Sequence, residues 1–199
     1  MSYIVSSDES NYSSSTPKTI EITFCYAQKW MVKMYEKLGW IALSQMNGYN
    51  KTEMYIRGIN SLIASIEKKR SITKDADRIA DLSVILKNVK KLKDFATKLF
   101  DENDLVSESN TEEGIATKVT MKWLSKWHAM LYSKLGWIAL VKSEGKKYKV
   151  KSYLRFINDL IASGKKKINE LTDPDNITDA KIIYNNSLKL RVFAEKLLL

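Results

Sequence analysis

Between residues 20 and 199, apolar side chains recur three and four positions apart, the spacing that lines one face of an α-helix. Trp30, Met34, Leu38, Ile41 and Ala42 share such a face and predict a helix from about residues 20–23 to 46, with Gly48 as the glycine that ends it. A second stripe of Tyr55, Ile59, Leu62, Ile63 and Ile66 predicts a helix over 51–69. Its end carries Lys68, Lys69 and Arg70, where positive charge suits the helix dipole. The third stripe starts at Asp75 and Asp77, acidic residues suited to a helix N-terminus. It continues through Ile79, Leu82, Ile85, Leu86, Val89, Leu92, Phe95, Ala96 and Leu99 to about residue 100.

The same order then returns. Helices are predicted over 115–143, ended by Gly145, over 147–167, and from the start signal Thr172-Asp173-Pro174-Asp175 to the C-terminus. Lys37-Leu38-Gly39-Trp40-Ile41-Ala42-Leu43 recurs residue for residue as Lys134-Leu135-Gly136-Trp137-Ile138-Ala139-Leu140, 97 positions later. Beyond the first turn the offset becomes 98, so Arg57, Asn60 and Asp81 match Arg155, Asn158 and Asp179. An insertion in a helix–helix turn is the least disruptive kind. The pattern predicts an all-α protein of two tandem three-helix modules, an internal duplication related by a pseudo-two-fold. The divisions are a flexible Ser-rich arm at 1–19, module 1 at 20–100, an acidic linker at 101–115 and module 2 at 116–199.

Matched residues carry the structural expectations. Trp40 and Trp137, with Trp30 and Trp127, are expected to be buried anchors. Gly39 and Gly136 sit in helix interiors, where glycine costs about 1 kcal/mol relative to alanine. Their recurrence predicts close approach of another helix. Arg57 and Arg155 are expected to form buried bridges to Asp81 and Asp179, because buried charges need partners. Tyr35 and Tyr132 are expected to put their hydroxyls at the core edge. Lys37 and Lys134 either lie over Trp40 or Tyr35 and their counterparts or meet an acidic partner.

The formal charge of +10 and pI near 9.4 permit a polyanionic partner. Residues 1–100 hold 16 Lys/Arg against 10 Asp/Glu, and residues 101–199 hold 17 against 13, so both halves are basic. Lysine dominates, and lysine lacks the bidentate fork that arginine uses to read bases and phosphates. The clusters are Lys68-Lys69-Arg70, then Lys87, Lys90, Lys91 and Lys93, then Lys146, Lys147, Lys149 and Lys151, and finally Lys165-Lys166-Lys167. Two functions remain in view. One is a structural or interaction protein that binds a protein partner or self-assembles. The other is a nucleic-acid binder making non-specific phosphate contacts.

Catalysis has little to work with. His128 is the single histidine and Cys25 the single cysteine, so no intramolecular disulfide forms, and no nucleophile set, phosphate-cradling loop or EF-hand appears. No enzyme activity, cofactor or metal is expected. The N-terminus lacks a secretory pattern and no apolar run reaches transmembrane length, so an intracellular, reducing location is expected.

Tyr35–Leu43 and Tyr132–Leu140, each followed by an amphipathic helix ending in lysines, resemble small helical modules in poorly characterised proteins of large nucleocytoplasmic DNA viruses. Asp77, Asp81, Leu82 and Asn88 extend the resemblance into the third helix of the first half; in the second, Ala180 replaces Leu82. The resemblance covers both halves but not the arm. It implies a minor virion or capsid-associated structural role, and presence in the virion.

Overall fold

The computed structural model describes residues 19–44, 51–99, 114–141 and 147–198. Among these residues the chain forms six α-helices: α1 Phe24–Ser44, α2 Thr52–Ile72, α3 Ala76–Leu99, α4 Met121–Val141, α5 Lys147–Glu170 and α6 Pro174–Leu198. Side chains fix the helix starts, since the first backbone N–H groups have no partner within the helix. Thr23 Oγ1 accepts from the Tyr26 N–H at 3.1 Å, and Thr120 Oγ1 accepts from the Trp123 N–H at 3.2 Å. Asp75 accepts from the Arg78 N–H at 3.0 Å, and Asp173 from the Asn176 N–H at 3.2 Å. Pro174 takes the first position of α6, where its missing N–H has no consequence. Gly48 and Gly145, residues 1–18 of the arm, residue 100 and residues 101–113 of the linker lie outside the described residues.

One boundary departs from the sequence pattern. The fourth helix begins at Met121, not near residue 115. Residues 114–120 are instead tied to α5. The Ile115 N–H donates to Asp159 Oδ1 at 2.8 Å and the Thr117 N–H to Ser163 Oγ at 3.1 Å. Gly114 lies so close to the Asn158 carbonyl that a β-carbon there would collide with it. Ahead of α1 the Ile20 N–H makes the corresponding bond to Ser65 Oγ at 3.1 Å.

Helices α1 and α4 form the central pair, with α2 packed on α3 and α5 on α6. All six contribute to one continuous apolar core. The contacts across the central pair are reciprocal. A β-carbon on Gly39 would lie 3.0 Å from Tyr132 Cβ, and one on Gly136 would lie 3.0 Å from Tyr35 Cβ. Tyr35 stands 6.4 Å from Phe193 and Tyr132 6.4 Å from Phe95, ring centre to ring centre. Phe95 and Phe193 stack on each other at 4.3 Å with their planes 3° apart. Asn88 Nδ2 donates to the Ala139 carbonyl at 3.4 Å, and Asn186 Nδ2 to the Ala42 carbonyl at 3.5 Å. Within each half the Tyr55 hydroxyl donates to the Met34 carbonyl at 3.0 Å, and the Tyr153 hydroxyl to the Leu131 carbonyl at 2.8 Å.

Three expectations are overturned. Trp40 and Trp137 are 59% and 57% exposed, so they are not core anchors. Successive helix residues turn by about 100°, so a helix that aims Leu38, Gly39 and Ala42 inward sends Trp40 out. Arg57 and Arg155 form no buried bridges to Asp81 and Asp179. Arg57 is exposed and reaches Glu53 at 3.6 Å, while Arg155 and Asp81 are also exposed. Tyr55, Ile59, Leu62 and Ile66 already occupy the inner face of α2, and desolvating an ion pair would cost more than leaving it in water. Tyr35 and Tyr132 are buried completely, and neither hydroxyl has a hydrogen-bond partner, whereas the pattern put them at the core edge.

Candidate interaction surface at the paired tryptophans

The seven-residue match is explained by the core at Leu38, Gly39 and Ala42, and at Leu135, Gly136 and Ala139, all buried. Packing does not account for Trp40 and Trp137. A half-exposed tryptophan keeps much apolar area in water at a cost of about 25 cal/mol per Å². Both halves nonetheless carry it at the same position. Trp side chains are also the ones most enriched among residues that dominate binding energies at protein interfaces.

Trp137 lines a cavity of roughly 370 Å³ with Ile138 beside it and Tyr153, Phe156 and Ser152 of α5 opposite. Lys134 and Lys149 complete the lining. The Lys134 ammonium stands 5.0 Å from the Phe156 ring centre and 5.4 Å from that of Trp127, a cation–π arrangement that keeps it at the rim. Trp40 borders a groove of roughly 680 Å³ between α1 and α4, lined by Glu36, Lys122, Lys126, Ala129 and Met130 among others. Lys37 lies 5.0 Å over Trp30 rather than over Trp40 or Tyr35, with Lys33 at 5.3 Å from the same ring. Trp30 and Trp127 are half-buried against the core. Exposed Met54 and half-exposed Phe156 add apolar area near the starts of α2 and α5.

The lysine clusters do not gather into one surface. Lys68 and Arg70 are exposed and Lys69 half-buried at the end of α2. Lys90 bonds Glu67 at 2.7 Å, and Lys93 shares a cavity with Glu67 and Asp94, so their charge is offset locally. Lys165 and Lys166 are exposed on α5, and Lys167 lies 3.9 Å from Glu170. Lys91 faces another way. With Lys98, Lys189 and Lys196 it lines a groove of roughly 320 Å³ between α3 and α6, floored by Phe95, Phe193 and Leu197. Lys189 there donates to the Lys98 and Leu99 carbonyls at the end of α3, each at 3.3 Å.

The buried polar groups are arranged for packing. His128 is fully buried, and burial pushes its imidazole down to about 3, so it is neutral. Ser187 donates its hydroxyl proton to the Ile183 carbonyl at 2.7 Å, which leaves its oxygen to accept from His128 Nδ1–H at 3.2 Å. His128 Nε2 has no hydrogen-bond partner. At the positions matching His128 and Ser187, the first half holds Met31 and Val89, both buried. Burial pushes the Tyr35, Tyr55, Tyr132 and Tyr153 hydroxyls upward, so all four are neutral. Arg191 is buried beside Glu195 at 3.1 Å. The Asp179 carboxyl is raised by desolvation and by its neighbours Asp175 and Asp173. Among the described residues no three His, Cys, Asp or Glu side chains cluster as a metal site, and no helix is long and apolar enough to cross a membrane.

The sequence pattern singled out Lys134 and placed Lys149 in a basic cluster, but passed over Phe156. The signal for Phe156 was its replacement of Gly58, a bulky ring where the first half has none, on an otherwise matched helix. No protein-family model, no curated protein and no solved structure matches the chain.

Proposed function

We propose that this chain is a non-enzymatic structural or interaction protein, engaging a protein partner or further copies of itself through the surfaces around Trp40 and Trp137. The observation that carries the reading is their exposure, 59% and 57%, within the two identical segments. An exposed large aromatic that packing does not require is worth keeping when a partner covers it. We also read the two halves as copies of one three-helix module joined about a pseudo-two-fold. Support comes from contacts that occur in both directions: Gly39 on Tyr132 with Gly136 on Tyr35, and Asn88 to Ala139 with Asn186 to Ala42. The viral resemblance carries the further proposal of a minor virion component, tested by asking whether purified particles contain the protein.

The test of the interaction surface is the double variant Trp40→Ser/Trp137→Ser. It is expected to fold with the parental helix content and to lose self-association or partner binding, as read by light scattering and cross-linking. Unchanged assembly would refute the reading.

A second reading has one observation of its own: the α3–α6 groove, where, among the described residues, four lysines meet one aspartate, Asp94. That arrangement suits non-specific contact with a phosphate backbone.

A further inference from the structure

We infer that the well at Trp137 receives an acidic protein segment that inserts one apolar side chain. The inference rests on the reading of the tryptophan surface as a docking site and names the chemistry of its occupant. The floor is apolar: Trp137, Ile138 and Phe156 offer little to a polar group beyond Ser152, since the Tyr153 hydroxyl is buried on the Leu131 carbonyl. Among the described residues the charge is one-signed: Lys134 and Lys149 line the well and no carboxylate does. An apolar anchor flanked by Asp or Glu therefore satisfies the floor and rim together. A basic segment would bring like charge against both lysines, and a neutral one would leave them without counter-charge.

Nucleic acid fits less well. Phosphate-backbone binding strengthens with the number of cations neutralising phosphates, and among the described residues this well supplies two. The Lys134 ammonium also occupies space beside the Phe156 ring, at 5.0 Å, where a stacked base would lie.

The first half provides an internal comparison. Lys51 and Met54 stand at the positions of Lys149 and Ser152, but Gly58 replaces Phe156. The Trp40 counterpart thus lacks one wall of the well, and an apolar anchor loses contact area there. The Trp137 well is expected to bind at least threefold more tightly than the surface at Trp40.

The experiment follows the side-chain N–H signals of the five tryptophans by two-dimensional NMR on the full chain. The main probe is a synthetic peptide of alternating Asp and Glu around a single Phe. Four controls are the same peptide with Ser for Phe, a neutral Gly/Ser peptide around the same Phe, the Lys-for-Glu/Asp counterpart, and a ten-residue oligothymidine. The acidic Phe peptide should shift Trp137 first, saturably and with salt-weakened affinity. Lys149→Glu should reduce that affinity at least fivefold while leaving the spectrum of the free protein folded. Absence of a Trp137 shift at millimolar peptide would overturn the inference, as would equal binding of the basic peptide or tighter binding of oligothymidine. If a neutral Phe peptide binds as well as the acidic one, the acidic chemistry fails while the docking surface stands. If no probe shifts Trp137 and the Trp→Ser double variant also assembles normally, both readings fail.

Discussion

Gly39 lies directly against Tyr132: a β-carbon at Gly39 would come within 3.0 Å of Tyr132 Cβ, 3.1 Å of its Cγ and 3.2 Å of the Ala129 carbonyl oxygen. Gly136 meets Tyr35 in the same way, at 3.0, 3.2 and 3.3 Å to its Cβ, Cγ and Cδ2. The two tyrosines are buried between α1 and α4, so their Cβ atoms cannot retreat without moving a backbone. Gly39→Leu and Gly136→Leu should therefore each destabilise, by roughly 1–3 kcal/mol or more from overpacking. Thermal or urea melts measure this. Equal losses at the two sites are expected from the reciprocal geometry; a parental melt for either would mean that the helices do not approach closely there.

The helices were legible from the sequence because most of their apolar stripes stay in register with the core, as Ile85, Leu86, Val89, Leu92, Phe95, Ala96 and Leu99 do in α3. The close helix approach was legible because glycine recurs in two helix interiors where it has no propensity reason to be. The outward face of α1 was not. Leu38 through Leu43 contains no polar residue, so periodicity alone cannot say which side chain faces water. Tryptophan then looks like core by composition. The start of α4 was missed because Ile115 and Val119 extend the apolar spacing, while the bonds that hold residues 115–117 to Asp159 and Ser163 come from a distant helix. The supposed Arg57–Asp81 bridge paired residues by recurrence, without a way to see that both look outward.

His128 makes stability depend on pH. Its folded value is about 3 against an ordinary 6.5, because burial disfavours the charged ring. Below pH 6.5 the unfolded chain binds a proton that the native state refuses, so this contribution is complete above pH 6.5 and declines as pH falls toward 3. The slope approaches about 1.4 kcal/mol per pH unit well below 6.5. Denaturant midpoints at pH 7.5 and pH 5.0 give the difference for the parent. In the double variant His128→Met/Ser187→Val, which borrows Met31 and Val89 from the first half, the decline should shrink by most of that amount. An unchanged pH dependence would mean that His128 is protonated in the folded chain.

The buried hydroxyls of Tyr35 and Tyr132 have no partner in the protein. A buried polar group without a hydrogen bond costs roughly 1–3 kcal/mol, so removing the oxygen should relieve strain in the balance of forces. Tyr35→Phe and Tyr132→Phe are expected to melt at or above the parental temperature. By contrast Tyr55→Phe and Tyr153→Phe lose bonds of 3.0 and 2.8 Å and leave the Met34 and Leu131 carbonyls without that donor, and should destabilise by about 1 kcal/mol. The reverse ranking would contradict the hydrogen-bond assignment.

The basic character of the chain should produce DNA association at low salt whatever its function. Counterion release makes such binding fall steeply as salt rises. Near physiological ionic strength, binding to duplex DNA measured by fluorescence anisotropy should become negligible. Tight binding there, abolished by Lys91→Glu with Lys98→Glu and Lys196→Glu, would instead favour the α3–α6 groove as the working surface.

The most direct measurement compares stability and assembly in the same samples of the parent and the Trp40→Ser/Trp137→Ser variant. Exposed substitutions usually change stability by less than about 0.5 kcal/mol per site, whereas truncating a buried tryptophan costs roughly 3–5 kcal/mol. The variant is predicted to melt within about 1 kcal/mol of the parent, as the sum of two exposed changes, while its self-association or capture by the cross-linked partner disappears. A variant that melts far below the parent, or one that melts normally and assembles as the parent does, would contradict the assignment of the two tryptophans to an interaction surface.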